Sequence, residues 1–142
     1  MLWDAGVLNG APTKLEQLCV YHVGEVVTSL AKCALVPGSA DAVVFTTVSG
    51  AIGALIPSTT RDDKDFFMHL EMHLRQEKTL LTGREHIQYR SYFLPVKEVC
   101  DGDFCEEFGS LAPAKQQAIA TDLDRSPAEV MKKLESLRER LL

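Results

Sequence analysis

Nowhere in its 142 residues does the sequence carry an apolar run near the roughly 20 residues that cross a bilayer, so no membrane-spanning helix is expected. Positive charge is also scarce: 15 Lys and Arg stand against 20 Asp and Glu, a net charge of −5. Broad electrostatic binding to nucleic acid rewards clustered Lys and Arg and is therefore disfavoured, which leaves only a local basic patch on a larger assembly. The opening residues, MLWDAGVLNG, have neither the basic start nor the apolar stretch of a secretory signal. Cysteine is sparse, at Cys19, Cys33, Cys100 and Cys105. Without secretory context these argue for free thiols in a reducing compartment, cytosol or nucleus, over a disulfide framework. No phosphate-binding loop, GxSxG elbow or dinucleotide fingerprint occurs, and Ser, His and Asp are not spaced as a triad. Internal repeats and low-complexity segments are missing too.

What is present is ordinary globular composition, 46% apolar and 25% charged, in a chain of one-domain length. Such a chain buries about 68–70% of the surface it exposes when unfolded, so a real core is expected.

Up to about Ser58 the pattern reads as strands. LCVYHV and EVVTSLAKCAL are rich in β-branched and aromatic residues, and Gly24-Glu25 is expected to turn tightly between them. Pro37-Gly38-Ser39 makes a loop, and AVVFTTV and AIGALIP follow on either side of Ser49-Gly50. The expectation is about four antiparallel strands in a meander. Such a ribbon has open edges and an uncovered face, and it reads as one blade of something larger rather than a complete sheet domain.

From about Arg61 the period becomes helical. Phe66, Phe67, Leu70 and Leu74 share a face, with Asp62 and Asp63 placed to favour the N-terminus. REHIQYRSYF, after Gly83, is expected as a short helix or turn ended by Pro95. Asp103–Ser110 is a second helix candidate, with Phe104, Phe108 and Leu111 apolar, and Ala114–Leu123 a third, anchored by Ile119 and Leu123 behind Pro113. The last helix is the best signalled. Ser126 is its N-cap, Pro127 its first residue and Glu129 completes a capping box, before a stripe of Val130, Leu134, Leu137 and Leu141. Its Lys132, Lys133, Arg138 and Arg140 alternate with Glu135 and Glu139, which suits a solvated face with ion pairs.

Two stretches invite a chemical reading. In HLEMH, His69 and His73 lie about 40° apart on a helix and could share a metal. The metalloprotease pattern, however, has its glutamate directly after the first histidine. Glu71 falls roughly 160° from either imidazole, so it is no base for a metal held by both, and no third ligand stands at a characteristic spacing. In CDGDFCEE, Cys100 and Cys105 are too far apart for most zinc knuckles, and Asp101 and Asp103 flank Gly102 without the EF-hand spacing. The structural reading fits better: Asp101 or Asp103 caps a helix, Gly102 permits a turn and Cys105 packs. Trp3-Asp4 matches the dipeptide of propeller blades, but a lone pair says little. No catalytic, cofactor-binding or metal residue is expected, and partner-binding residues are not identifiable from the sequence.

YHVGEVV, FTTVSGAIGALIP, FFMHLEMHLR, REHIQYRSYFLPVKEVCDGDFCEEF and DLDRSPAEVMKKLESLRERL, taken in order, resemble a known family. This is the family of the cleavage and polyadenylation specificity factor A subunit and the damage-specific DNA-binding protein large subunit. PVKEVCDGDFCEEF and DRSPAEV favour its splicing branch, the large propeller subunit of splicing factor 3b. The resemblance implies a fold of β followed by α: residues 1–58 as the last strands of a seven-bladed β-propeller, about one blade, and 59–142 as a small C-terminal helical domain. It implies a non-catalytic, nuclear protein-protein scaffold in pre-mRNA splicing. Its partners would be the HEAT-repeat subunit and a small helical subunit, with RNA reached only through the complex and no membrane, cofactor or small-molecule substrate. The alternatives are a sister scaffold, either a ubiquitin-ligase adaptor in DNA repair or a polyadenylation subunit, and, more weakly, a small metal-dependent enzyme. Most of such a protein lies outside this chain. The expectation is therefore a partial gene model, truncated product or fragment, whose open strand edges favour aggregation in isolation.

Overall fold

A computed structural model describes residues 2–4, 16–39, 41–58, 60–78 and 99–139. Two short strands, β1 (Leu2–Asp4) and β2 (Glu16–Cys19), pair antiparallel, with Trp3 opposite Gln17 and Asp4 opposite Glu16. Three more, β3 (Val27–Cys33), β4 (Ala42–Thr47) and β5 (Ile52–Leu55), form a separate antiparallel sheet in the order β3-β4-β5.

Two of the three turns expected in the meander join paired strands. Between β3 and β4, Ser39 donates to the Val36 carbonyl through its backbone N–H at 3.0 Å and its hydroxyl at 2.8 Å. Between β4 and β5, the Thr47 N–H donates to Ala51 O at 2.9 Å and the Gly50 N–H to Thr47 O at 3.1 Å. Gly50 has φ 90°, a conformation that glycine adopts without a Cβ penalty.

The expected hairpin at Gly24-Glu25 does not form. β2 ends at Cys19 and takes β1 as its partner, and among the described residues β3 pairs only with β4. The meander is therefore three strands, not four. Apolar and β-branched content marks a segment as extended, but partner choice depends on contacts between distant residues. Glu25 acts instead as an anchor, because its carboxylate accepts a hydrogen bond from Ser49 Oγ in the β4–β5 turn.

Register places Leu30, Phe45 and Gly53 side by side on one sheet face, with Ser29, Thr46 and Ile52 on the other. Both faces carry large apolar groups open to solvent: Leu30 is 66% exposed and Ile52 76%. Val26 and Val48, joined by a 3.0 Å backbone hydrogen bond at the sheet's end, are also exposed.

The helices behave differently. α1 (Arg61–Glu77) buries Phe66, Phe67, Leu70 and Leu74, the four residues its period singled out, and Thr60 caps it by accepting from the Asp63 N–H at 3.3 Å. α2 (Gly102–Glu106) runs straight into a 3-10 turn (Glu107–Ser110), so the second expected helix is a composite, burying Phe104, Cys105 and Phe108. α3 (Pro113–Asp122) contributes Ile119 and Ala120, and α4 (Pro127–Glu139) contributes Val130 and Leu134. These residues form one apolar cluster, with Leu111, Leu123 and Leu137 packed against it. REHIQYRSYF, Pro95, Arg140 and Leu141 lie outside the described residues.

The capping box of α4 is formed in full. The Ser126 N–H donates to Glu129 Oε2 at 2.7 Å, and the Glu129 N–H donates to Ser126 Oγ at 3.3 Å. The Ser126 backbone donor, and then its hydroxyl, hold the Glu129 carboxyl below its ordinary pKa. A carboxylate depressed in the folded state stabilises above its unfolded pKa, and that contribution fades as pH falls through the folded value. Glu129→Ala is therefore expected to lower the melting midpoint by a few degrees at neutral pH. Melting curves recorded across a pH series should show this gap closing as pH drops below the usual carboxylate range.

The ion pairs of the last helix run between elements. Lys133 Nζ lies 2.6 Å from Asp62 Oδ2 and 3.1 Å from Asp63 Oδ1, and Arg138 reaches Glu106 at 2.8 Å. The expectation of a solvated face with ion pairs thus becomes a set of clasps from α4 to α1 and α2.

Candidate functional site

α1 presents a polar side opposite its buried stripe. Asp65, His69, Met72 and His73 follow one another there at helical spacing. The connection between α3 and α4 lies against them, and together they bound a cleft of about 440 Å³. Its walls include Asp62, Asp122, Asp124 and Arg125, and Phe66, Met72 and Leu123 are the apolar residues that line it.

Local backbone chemistry shapes this connection. The Arg125 N–H donates to Ala120 O at 2.9 Å and the Asp124 N–H to Thr121 O at 3.0 Å, the bonds that close a helix C-terminus. That closure needs a left-handed residue just past the helix. Asp124 supplies it with φ 54°, and aspartate tolerates this better than most residues. The reversal brings Arg125 back over the N-terminus of α1. Its guanidinium lies 3.7 Å from Asp62 and 5.7 Å from the Phe66 ring centroid, while Lys133 Nζ sits 4.7 Å above the same ring.

The two histidines line this cleft without making a metal centre. His69 is exposed, and His73 Nδ1 lies 3.8 Å from Asp122 Oδ2, within ion-pair range when the ring is protonated and beyond a hydrogen bond. Glu71 Oε1 accepts from the Asp101 backbone N–H at 3.4 Å, which directs it towards α2. Among the described residues, no three His, Cys, Asp or Glu side chains gather as a metal site.

The CDGDFCEE stretch is a packing device. Asp101 caps α2, its Oδ1 accepting from the Phe104 N–H at 3.1 Å. Cys100 and Cys105 are free thiols with sulfurs 3.5 Å apart. Cys100 Sγ donates to the Phe67 carbonyl at 3.4 Å, and Cys105 Sγ lies 3.8 Å from the same oxygen, so the pair seats α2 against α1. The hydrogen bond to Cys105, and then burial, push the Cys100 thiol well above its usual range, which keeps it protonated and poorly nucleophilic. Cys33 is a further free thiol, in β3. Trp3-Asp4 falls in β1.

Sequence reading missed the acidic wall of the cleft. The available signal was DLDR, two aspartates and an arginine between two helices, together with the Asp65, His69 and His73 spacing on α1.

Residues 4–110 match the family described as the CPSF A subunit region. Over 98% of its length the chain is 54% identical to "Splicing factor 3B subunit 3" of Danio rerio and 51% identical to that of Drosophila melanogaster. "Spliceosome-associated protein 130 A" of Arabidopsis thaliana is 51% identical over 99% of the chain. The chain spans 11% of the length of the first two and 12% of the third.

Proposed function

This chain belongs to the CPSF A subunit region family, and from that premise we propose that it forms the C-terminal part of a non-catalytic splicing factor 3b scaffold. In this reading residues 1–58 are the last strands of a seven-bladed propeller and residues 59–142 a helical domain. The scaffold works in the nucleus. It holds the HEAT-repeat and small helical subunits of splicing factor 3b and meets RNA only through the assembled particle.

The observation that carries this reading is the similarity to splicing proteins, at 51–54% identity, over 98–99% of the chain. The sheet supports it physically. A sheet closing a single-chain core hides one face, whereas Leu30 and Ile52 leave apolar surface open on both. A blade between two neighbouring blades needs that arrangement. Among the described residues, the core beyond residue 60 draws on helical segments and the turns between them, which supports the division at residues 58 and 59.

The test is affinity purification of the epitope-tagged chain from nuclear extract, with mass spectrometry of what is retained. Splicing factor 3b subunits are expected, above all the HEAT-repeat protein. Recovery of ubiquitin-ligase or polyadenylation components in their place would move the chain to a sister scaffold.

A further inference from the structure

We propose that the cleft between α1 and the α3–α4 connection is a docking surface for a basic segment of a partner chain, one bearing Arg or Lys beside an aliphatic side chain. The proposal goes beyond the scaffold reading and does not rest on it.

Charge is the first argument. Four aspartates, Asp62, Asp65, Asp122 and Asp124, line the cleft against one arginine. Asp62 is committed to the fold through Lys133 at 2.6 Å and Arg125 at 3.7 Å. Among the described residues, Asp65, Asp122 and Asp124 are exposed as well, without such a tie to a lysine. Asp65 stands 3.9 Å from an almost fully solvated Arg61, and Asp122 3.8 Å from His73. Both contacts are long, and the carboxylate of each is more than half exposed, so an incoming guanidinium or ammonium displaces little. Asp124 is held at the rim by a backbone reversal, so its backbone is already ordered before a partner arrives.

Shape and apolar content are the second argument. About 440 Å³ suits one or two side chains. Met72, 38% exposed, is a flexible, polarisable contact of the kind found on adaptable binding surfaces, and the partly buried Leu123 adds apolar surface beside it. An aliphatic side chain would rest on this surface while its basic neighbours reach the rim. A partner-chain segment fits better than a metal ion, since no three ligating groups converge here among the described residues. The chain's overall charge of −5 steers the same class of partner.

The probe is a fluorescein-labelled peptide of alternating Arg and Leu, titrated with the 142-residue chain and followed by anisotropy, beside its counterpart with Glu in place of Arg. Saturable binding of the Arg peptide alone, weakening with added salt, is expected. The Asp65→Asn/Asp124→Asn double variant should bind about fivefold more weakly, because two exposed charge pairs are lost and asparagine keeps the left-handed conformation. Asp41→Asn/Glu135→Gln, acids outside the cleft, should leave the affinity unchanged. Equal weakening in both double variants, equal binding of the Glu peptide, or no binding would each overturn the proposal. Displacement of the Arg peptide by stoichiometric Zn²⁺ would assign the cleft to a cation and overturn it as well.

Discussion

Phe108→Ala is expected to destabilise the helical cluster by about 3–5 kcal/mol, the range for removing a buried aromatic ring from a core that relaxes only partly. Among the described residues, Phe108 is the largest fully buried side chain. It lies in the 3-10 turn that carries the chain from α2 towards α3, and its carbonyl accepts from Gln116 Nε2 at 3.1 Å and from the Leu111 N–H at 3.2 Å. Loss of the ring leaves a void under a connection that has no regular ladder of its own. Because domains of this size are stable by only about 5–15 kcal/mol, the variant should unfold at a much lower urea concentration. Far-UV circular dichroism against urea measures this directly. Met68→Ala, on the solvated side of α1, is the matched control and should change stability by less than about 0.5 kcal/mol. If the two variants behaved alike, the apolar cluster would not be what holds the helices together.

The second large effect belongs to the sheet. Gly53 pairs across β4–β5 with Phe45, whose ring lies over it, and a Cβ at position 53 would stand 2.2 Å from Phe45 Cζ and 2.7 Å from Cε1. No side chain fits without moving the ring, and the ring's place is what covers the bare glycine backbone. Gly53→Val is therefore expected to cost about 1–3 kcal/mol, as overpacking does, despite valine's preference for strands. The coupling is testable by a double-mutant cycle. With Phe45→Ala as background, Gly53→Val should be neutral or favourable, so the two substitutions interact with a sign opposite to simple addition. Hydrogen exchange of the β4 and β5 amides reports the sheet specifically, separate from the helical signal. Additive penalties would mean that the ring and the glycine do not share one space.

The helices were legible because their determinants are local. Phe66, Phe67, Leu70 and Leu74 repeat at helical spacing, and Ser126, Pro127 and Glu129 announce a helix start through hydrogen bonds spanning three residues. The turns at Gly38 and Gly50 were readable for the same reason. Strand pairing was not, because β2 chose β1 over β3, and that choice rests on contacts no short window contains. The second helix changed to 3-10 winding at Glu107, a difference of one hydrogen-bond register that apolar spacing alone does not encode. The candidate site was half legible. His69 and His73 drew notice as metal ligands, yet their surroundings come from Asp122, Asp124 and Arg125, brought back by the reversal at Asp124. Lys133, read as a solvated charge, sits over Phe66 between two aspartates. Each of these depends on distant segments meeting, which periodicity does not report.

The open apolar residues on both sheet faces separate two kinds of tolerance. Replacing Leu30 or Ile52 by a polar residue removes little that the chain itself buries, so a stability screen of the isolated chain would score such changes as harmless. If blades stack on both sides, the same changes strike the contacts that hold neighbours together. Selection at these positions then acts through assembly and not through folding. A mutational map drawn from this chain alone would be blind along its own sheet.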